Sequence, residues 1–251
     1  MNRTKNTTLN RRELLLTGLG LAIAPAEPPT LWLIGDSTVR NNTKGQQGWG
    51  SALPPLFDAS TLKVTNKALG GRSSRTFLTE GLWDAVAKEL KKGDTVVMQF
   101  GHNDGGDKFK GTRPRASLKG NGDDTEMGVV EATGKEEIVH SYGWYLRKYI
   151  TEAKAKGATA VVCSPIPRNI WKDGKVGRAG NDYGKWAKEA AAQEKVHFLD
   201  LNTLIADRYE VLGEEKVAAL FFGDHTHTSP DGAALNASIV AEGLKKLLKL
   251  L

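Results

Sequence analysis

The sequence predicts a single α/β domain, a three-layer α/β/α sandwich with helices on both faces of a mainly parallel five-stranded sheet. Five short apolar runs alternate with segments whose apolar residues recur at helical spacing. Continuous apolar runs are typical of strands buried on both faces, as in parallel sheets. A TIM barrel would need eight strand–helix units, and we count five. The 251 residues show neither a repeat nor a linker, which favours one domain.

The predicted elements follow one another in strand–helix order. The strands are predicted at residues 31–34, 62–69, 95–100, 159–163 and 196–199. The helices are predicted at residues 77–92, 136–156, 182–194, 203–212 and 232–250, the second being the longest. Residues 105–134 lack strong periodicity. Connections of that length are uncommon and often functional, so this segment is a candidate substrate-binding loop.

The composition is that of a folded, water-soluble chain. Hydrophobic residues make up 39% and charged residues 25%, which is too apolar for a disordered protein. The single cysteine, Cys163, cannot form an internal disulfide. Because it ends an apolar run, we expect a buried core residue rather than a nucleophile.

Residues 1–26 are predicted to be an export signal, and residues 27–251 the folded domain. A basic head precedes an apolar stretch at residues 14–24, about half of the roughly 20 residues that span a membrane. Arg11 and Arg12 stand in a stretch that resembles a twin-arginine motif. We therefore expect an exported protein, periplasmic or extracellular, carried by that route. The alternative is a basic tail on a cytosolic protein.

The net charge does not indicate a polyanionic partner. Of the formal +6, four basic side chains against Glu13 place +3 in the first 26 residues and leave +3 for the rest. So small a remainder gives no reason to expect nucleic-acid binding, and we expect no stable membrane association.

Polar, glycine-rich segments follow three of the predicted strands and precede the last helix. In open α/β sheets ligands bind beyond the carboxyl ends of the strands, so these segments are expected to share one site. They are Gly35-Asp36-Ser37-Thr38, Gly70-Gly71-Arg72-Ser73-Ser74-Arg75, Gly101-His102-Asn103-Asp104-Gly105-Gly106 and residues 223–230.

Together these segments contain the parts of a serine hydrolase. A serine hydroxyl needs a base to remove its proton, and the base needs an acceptor on its other nitrogen. Asp224 and His227 are three residues apart, close enough for one turn to present both toward Ser37. The backbone N–H groups of Ser37 and Gly71 and the side-chain amide of Asn103 could form an oxyanion hole. We expect neither a cofactor nor a metal.

The four segments resemble, in order, the conserved blocks of the SGNH (GDSL-type) hydrolases. Five longer strings resemble rhamnogalacturonan acetylesterases: residues 66–75, 99–106, 143–150, 164–169 and 225–230. The resemblance spans roughly residue 31 to the end and implies a flavodoxin-like sandwich. It also implies removal of acetyl groups from pectic polysaccharide, with Ser37, Asp224 and His227 as the triad and an acetyl-serine intermediate. Thr38, where the superfamily often has leucine, is expected to pack rather than to react.

Substrate contacts are predicted from basic and aromatic residues in the same loops. A cationic rim would attract an acetylated acidic polysaccharide. The proposed contacts are Arg72, Arg75, Arg168 and Trp171, with Arg113, Arg115, Lys172, Lys175 and Arg178 nearby. The alternative is that these cations are solvated and the tryptophan covers a core edge.

Other functions remain open at this point. Asp224, His225 and His227 could instead bind a metal, although no further ligand cluster is evident. Gly-x-Ser-x-Gly, Gly-x-Gly-x-x-Gly and the P-loop pattern are all missing around the candidate loops, which disfavours a lipase elbow and a nucleotide site. Another SGNH activity is an alternative: an esterase on a different polysaccharide, a broad arylesterase, or an acetyltransferase. A non-catalytic glycan-binding protein is a further one.

Overall fold

The computed structural model describes Met1 and residues 27–180 and 182–250. The export signal predicted over residues 1–26 therefore lies, apart from Met1, outside the described residues. In the described part, no helix is both long enough and apolar enough to cross a membrane.

The described chain alternates strands and helices. The strands are β1 (Thr30–Gly35), β2 (Lys63–Asn66), β3 (Thr95–Gln99), β4 (Thr125–Val130), β5 (Lys135–His140), β6 (Thr159–Cys163), β7 (Trp171–Lys172), β8 (Lys175–Val176) and β9 (His197–Leu199). The helices are α1 (Trp49–Ala52), α2 (Ser74–Thr79), α3 (Leu82–Glu89), α4 (Tyr142–Ala155), α5 (Tyr183–Gln193), α6 (Leu201–Leu212), α7 (Glu214–Ala218) and α8 (Pro230–Leu248).

The central sheet is parallel, with the strand order β2-β1-β3-β6-β9. Gly35 pairs with Gln99, and Gln99 with Cys163, so the carboxyl ends of three neighbouring strands lie at one edge. The chain order reverses between β1 and β3, which is where doubly wound sheets of this order bind ligands. The predicted fold class is confirmed.

Each face of the sheet carries its own core. Side chains alternate along β1, so Leu31 and Leu33 pack under α1, α6, α7 and α8, whereas Trp32 and Ile34 pack under α2 to α5. This double burial explains the continuous apolar runs of the sequence. Cys163 is fully buried in the first core, and burial raises the pKa of its thiol, so the expectation of an inert core residue is confirmed.

Two helix predictions are wrong. Residues 136–140 belong to β5, which pairs antiparallel with β4, and the helix begins only at Tyr142. Ser141 caps it by accepting the N–H of Trp144. The predicted helix 77–92 is instead α2 and α3, separated at Gly81, whose φ of 75° is left-handed. Among the described helices the longest is α8, not α4.

Candidate active site

One pocket collects residues from the loops after β1, β2 and β3 and from the loop before α8. Its volume is about 550 Å³, within the usual range of small-molecule sites. Ser37, Gly71, Asn103 and His227 all line it. The structure thus brings together residues that are up to 190 positions apart in the sequence.

A chain of hydrogen bonds links Ser37, His227 and Asp224. Ser37 Oγ lies 2.9 Å from His227 Nε2, and His227 Nδ1 lies 2.7 Å from Asp224 Oδ2. With a proton on Nδ1 shared with the carboxylate, Nε2 is left to accept the serine proton. Burial alone would raise the pKa of Asp224, but hydrogen bonds from His227 and from two backbone N–H groups hold it below its ordinary value. The carboxylate therefore stays ionised beside the ring.

Local hydrogen bonds fix the loop that carries the histidine. Asp224 Oδ1 accepts the backbone N–H groups of Thr226 and His227 at 2.7 and 2.8 Å. Thr228 bonds twice to Gln47, through its carbonyl and its hydroxyl. Ser229 then caps α8 by accepting the N–H of Gly232. These contacts hold the imidazole in place from both sides of the loop.

The serine loop rests on a buried polar network. Asp36 Oδ1 accepts both the N–H and the hydroxyl of Thr38, at 2.8 and 2.7 Å. The hydroxyl oxygen of Thr38 also accepts a bond from Gln99 Nε2, and Gln99 Oε1 accepts the indole N–H of Trp49. Thr38 is buried, as expected of a residue that packs rather than reacts, and it also belongs to this hydrogen-bonded network. A glutamine inside the apolar run of β3 was the sequence signal for this network.

A buried contact joins the serine loop to the loop after β3. His102 Nδ1 lies 3.4 Å from Asp36 Oδ2, and its Nε2 donates to the carbonyl of Ile166 at 3.1 Å. Burial raises the pKa of Asp36, but the neighbouring His102 and the Thr38 hydrogen bonds outweigh burial and lower it. Because Asp36 precedes Ser37 and His102 precedes Asn103, this contact links the two loops that carry these candidate site residues.

Three N–H donors are available in the pocket. No acceptor within the described residues binds the backbone N–H of Ser37 or of Gly71. Asn103 is 8% exposed and donates one amide hydrogen to the carbonyl of Arg72 at 2.9 Å, which leaves its second hydrogen for a ligand. Unpaired donors converging beside a nucleophile can stabilise an oxyanion.

Asp104 fixes the loops on either side of Asn103. Its buried carboxylate accepts the N–H and hydroxyl of Ser74 at the start of α2 and the hydroxyl of Ser117. Burial outweighs these bonds and raises the pKa of Asp104 to about 6. One carboxylate thereby fastens the loop after β2 and the segment after Gly105 to the floor of the site.

None of the four residues proposed as substrate contacts lines this pocket, and three of them bind protein groups elsewhere. Arg75 is 1% exposed and pairs with Glu137 at 2.6 Å, so it is an internal group. Arg72 pairs with Glu80. Trp171 bonds to Asn169 and packs against the core. All three are therefore turned toward protein groups rather than toward the pocket.

Arg168, the fourth proposed contact, binds the loop that carries His227. It donates to Thr226 Oγ1 at 3.0 Å and contacts His225 Nε2 at 3.3 Å, which braces the loop of His227. It also lines a second cavity of about 340 Å³ together with His102 and Tyr183. His225 is thereby turned toward Arg168. Within the part of the chain that is described, no cluster of three metal-ligating side chains occurs.

The comparisons with known proteins agree with this geometry. The family described as GDSL-like Lipase/Acylhydrolase matches residues 33–235. The chain is 33% identical to a rhamnogalacturonan acetylesterase of Emericella nidulans, over 94% of this chain and 90% of that protein. It is 28% identical to the rhamnogalacturonan acetylesterase RhgT of Bacillus subtilis, over 88% of this chain and 91% of that protein. The crystal structure of the Bacillus subtilis protein YxiM superposes with a TM-score of 0.70 at 29% identity, covering 87% of this chain but only 56% of that one.

Proposed function

Because the chain belongs to the GDSL-like lipase/acylhydrolase family and is a carboxylic-ester hydrolase, we propose that it removes O-acetyl groups from the pectic polysaccharide rhamnogalacturonan. The observation that carries the proposal is the hydrogen-bonded chain from Asp224 through His227 to Ser37 in a pocket that also presents free N–H donors. The identity to two proteins named rhamnogalacturonan acetylesterases supports the substrate.

In the first half of the reaction Ser37 is acylated. As its Oγ attacks the acetyl carbonyl carbon, His227 Nε2 takes the hydroxyl proton and Asp224 stabilises the imidazolium. The carbonyl oxygen becomes an oxyanion, which the N–H groups of Ser37 and Gly71 and the amide of Asn103 stabilise. The bond from the carbonyl carbon to the sugar oxygen then breaks, and the imidazolium returns its proton to that oxygen. The products are a free sugar hydroxyl and acetyl-Ser37.

In the second half water replaces the sugar. His227 removes a proton from a water molecule as it attacks the acetyl carbonyl, and the same three donors stabilise the second oxyanion. Collapse breaks the bond to Ser37 Oγ, which recovers the proton from the imidazolium. Acetate leaves and the enzyme is restored. One base and one oxyanion hole therefore serve both steps.

The site is also proposed to work outside the cytoplasm. A polysaccharide is too large to diffuse across a membrane, and the export signal predicted over residues 1–26 would carry the enzyme to it. The route we propose is the twin-arginine pathway, because of Arg11 and Arg12.

The test is the acetate released from acetylated rhamnogalacturonan, acetylated xylan and a simple aryl acetate. The wild type is compared with Ser37→Ala and with Ser51→Ala, which removes an exposed hydroxyl on α1. Release that is strongest on rhamnogalacturonan, and lost only in Ser37→Ala, is the expected result.

Other outcomes would replace the proposal with a defined alternative. Strongest release from xylan or the aryl ester would retain the triad and overturn the pectic substrate. Acetyl transfer to an added sugar acceptor in preference to water would indicate an acetyltransferase. Glycan binding without any Ser37-dependent release would indicate a binding protein.

A further inference from the structure

We propose that Arg113 and Arg115 form a carboxylate-binding site that holds a uronate of the substrate next to the acetyl ester being cleaved. The inference rests on the proposed function and goes further by assigning recognition of the acidic sugar to two residues. Both belong to the segment between β3 and β4, and both line the pocket of Ser37 and His227.

The two side chains lie against the backbone that supplies an oxyanion donor. Arg115 Nη1 donates to the carbonyl of Gly71 at 3.2 Å. A Cβ built on Gly71 would stand 2.5 Å from Arg113 Nη2, so the guanidinium of Arg113 covers that glycine closely. Gly71 has a φ of 78°, which together with this contact requires glycine. A sugar whose acetyl group reaches the N–H of Gly71 therefore lies beside both arginines.

These two cations have no carboxylate partner within the described residues. By contrast, Arg72 and Arg178 in loops and Arg75 at the start of α2 each pair with a glutamate or aspartate. Neither Arg113 nor Arg115 forms such an ion pair. Burial lowers the pKa of Arg115, and the positive charge of Arg113 beside it lowers it further, whereas the carboxylates of Asp36 and Asp104 offset only part of this lowering. An anion placed between the two arginines would relieve this repulsion and accept bidentate hydrogen bonds.

The segment that carries the pair is anchored in the protein interior. Arg75 donates to the carbonyls of Lys108 and Ala116, at 2.7 and 2.9 Å. It therefore binds the backbone on both sides of the arginine pair. Ser117, two residues after Arg115, bonds to Asp104 through both its N–H and its hydroxyl. A charge held in place before binding loses less entropy when it binds. Arg75, expected from the sequence to touch substrate, thus acts by positioning Arg113 and Arg115.

The test compares two forms of one substrate: acetylated galacturonate-containing oligosaccharides of rhamnogalacturonan with free carboxylates, and the same oligosaccharides after methyl esterification. The measured quantity is the ratio of kcat/KM on the free acid to kcat/KM on the methyl ester, at constant ionic strength. The variants are Arg113→Gln, Arg113→Lys and the double variant Arg113→Gln with Arg115→Gln. Arg208→Gln, which removes an exposed positive charge from α6, is the matched control.

We expect the wild type to prefer the free acid. Arg113→Gln should lower the ratio about tenfold or more, the usual range for a hydrogen bond to a charged group. Arg113→Lys should keep part of the preference for the free acid, because lysine retains the positive charge but lacks the paired N–H donors of a guanidinium. The double variant should bring the ratio close to one, whereas Arg208→Gln should leave it unchanged.

Two results would overturn the inference in distinguishable ways. A ratio in Arg113→Gln and in the double variant equal to that of the wild type, with acetate still released from both oligosaccharides, contradicts the carboxylate site alone. If the wild type releases acetate from neither oligosaccharide but does so from the aryl acetate, the pectic substrate itself is wrong, and the carboxylate site fails with it.

Discussion

Asp224 holds His227 with both of its carboxylate oxygens. Oδ2 lies 2.7 Å from the ring Nδ1, and Oδ1 accepts the backbone N–H of the same histidine at 2.8 Å. One side chain therefore sets the tautomer of the imidazole and the path of the chain that carries it. Substituting asparagine for Asp224 would remove the negative charge of this side chain.

Asp224→Asn is expected to lower kcat on an aryl acetate by about four orders of magnitude. Asparagine can still accept the backbone N–H, but its amide donates where Oδ2 accepts, which favours the tautomer with the proton on Nε2. The measurement is kcat together with the free energy of unfolding, which should change by less than about 1 kcal/mol because the group is exposed. A kcat within tenfold of the wild type would show that Asp224 does not orient the base.

Asn103→Ala is expected to lower kcat by two to three orders of magnitude with a much smaller change in KM. In the proposed mechanism the second amide hydrogen of Asn103 stabilises the oxyanion, and losing one such donor costs about 2.7–4 kcal/mol of barrier. The variant also leaves the carbonyl of Arg72 without its donor, so its unfolding free energy should fall by about 1 kcal/mol. Near-normal kcat alongside that loss of stability would restrict Asn103 to a structural role.

Arg75→Met is expected to lower the free energy of unfolding by roughly 2–4 kcal/mol, because Glu137 and two carbonyls lose their donor. Lys185→Met is the matched control. It removes a cation from an exposed pair with Glu189 at 3.8 Å, which should cost less than about 1 kcal/mol. Amide hydrogen exchange should accelerate in residues 108–117 of the Arg75 variant. Equal stability in the two variants would contradict the anchoring role.

Asp104 is expected to make the protein lose stability as the pH rises from about 4 to about 6. Burial raises the pKa of this carboxyl from 3.8 to about 6, so the folded state binds its proton more tightly than the unfolded state does. Its contribution is therefore fully present below pH 3.8 and lost as the pH rises through 6; it amounts to on the order of 3 kcal/mol.

Unfolding by urea at several pH values measures this contribution. In Asp104→Asn the decrease between pH 4 and pH 6 should flatten relative to the wild type, since the amide does not titrate. Identical slopes in the two proteins would show that another group controls this range.

The sheet could be predicted because its strands are buried on both faces and therefore read as continuous apolar runs. The proximity of the candidate site residues could be predicted because parallel strands end at one edge, where Ser37 and Asn103 follow β1 and β3. The hairpin of β4 and β5 could not be predicted, because its residues are mostly exposed and need no regular apolar pattern. Glu136 and Glu137 are also as compatible with a helix as with a strand.

The sequence alone could not predict the role of each arginine. Arg72, Arg113 and Arg115 lie in loops and Arg75 lies at the start of α2, all at the same end of the sheet, so composition and position do not distinguish them. What distinguishes them is the placement of acidic partners: Glu80 and Glu137 form ion pairs with Arg72 and Arg75, and no described carboxylate lies within ion-pair distance of Arg113 or Arg115. These pairings depend on tertiary contacts over as many as 62 positions.

If acetyl transfer passes through Ser37, the acetylated serine can be trapped during turnover. The enzyme is mixed with an excess of aryl acetate, quenched in acid during the first turnover, digested and analysed by mass spectrometry. The proposed mechanism requires a burst of released phenol and one added acetyl group on the peptide that contains Ser37, neither of which is expected in Ser37→Ala. Steady acetate release with Ser37 unmodified, continuing undiminished in Ser37→Ala, would contradict it.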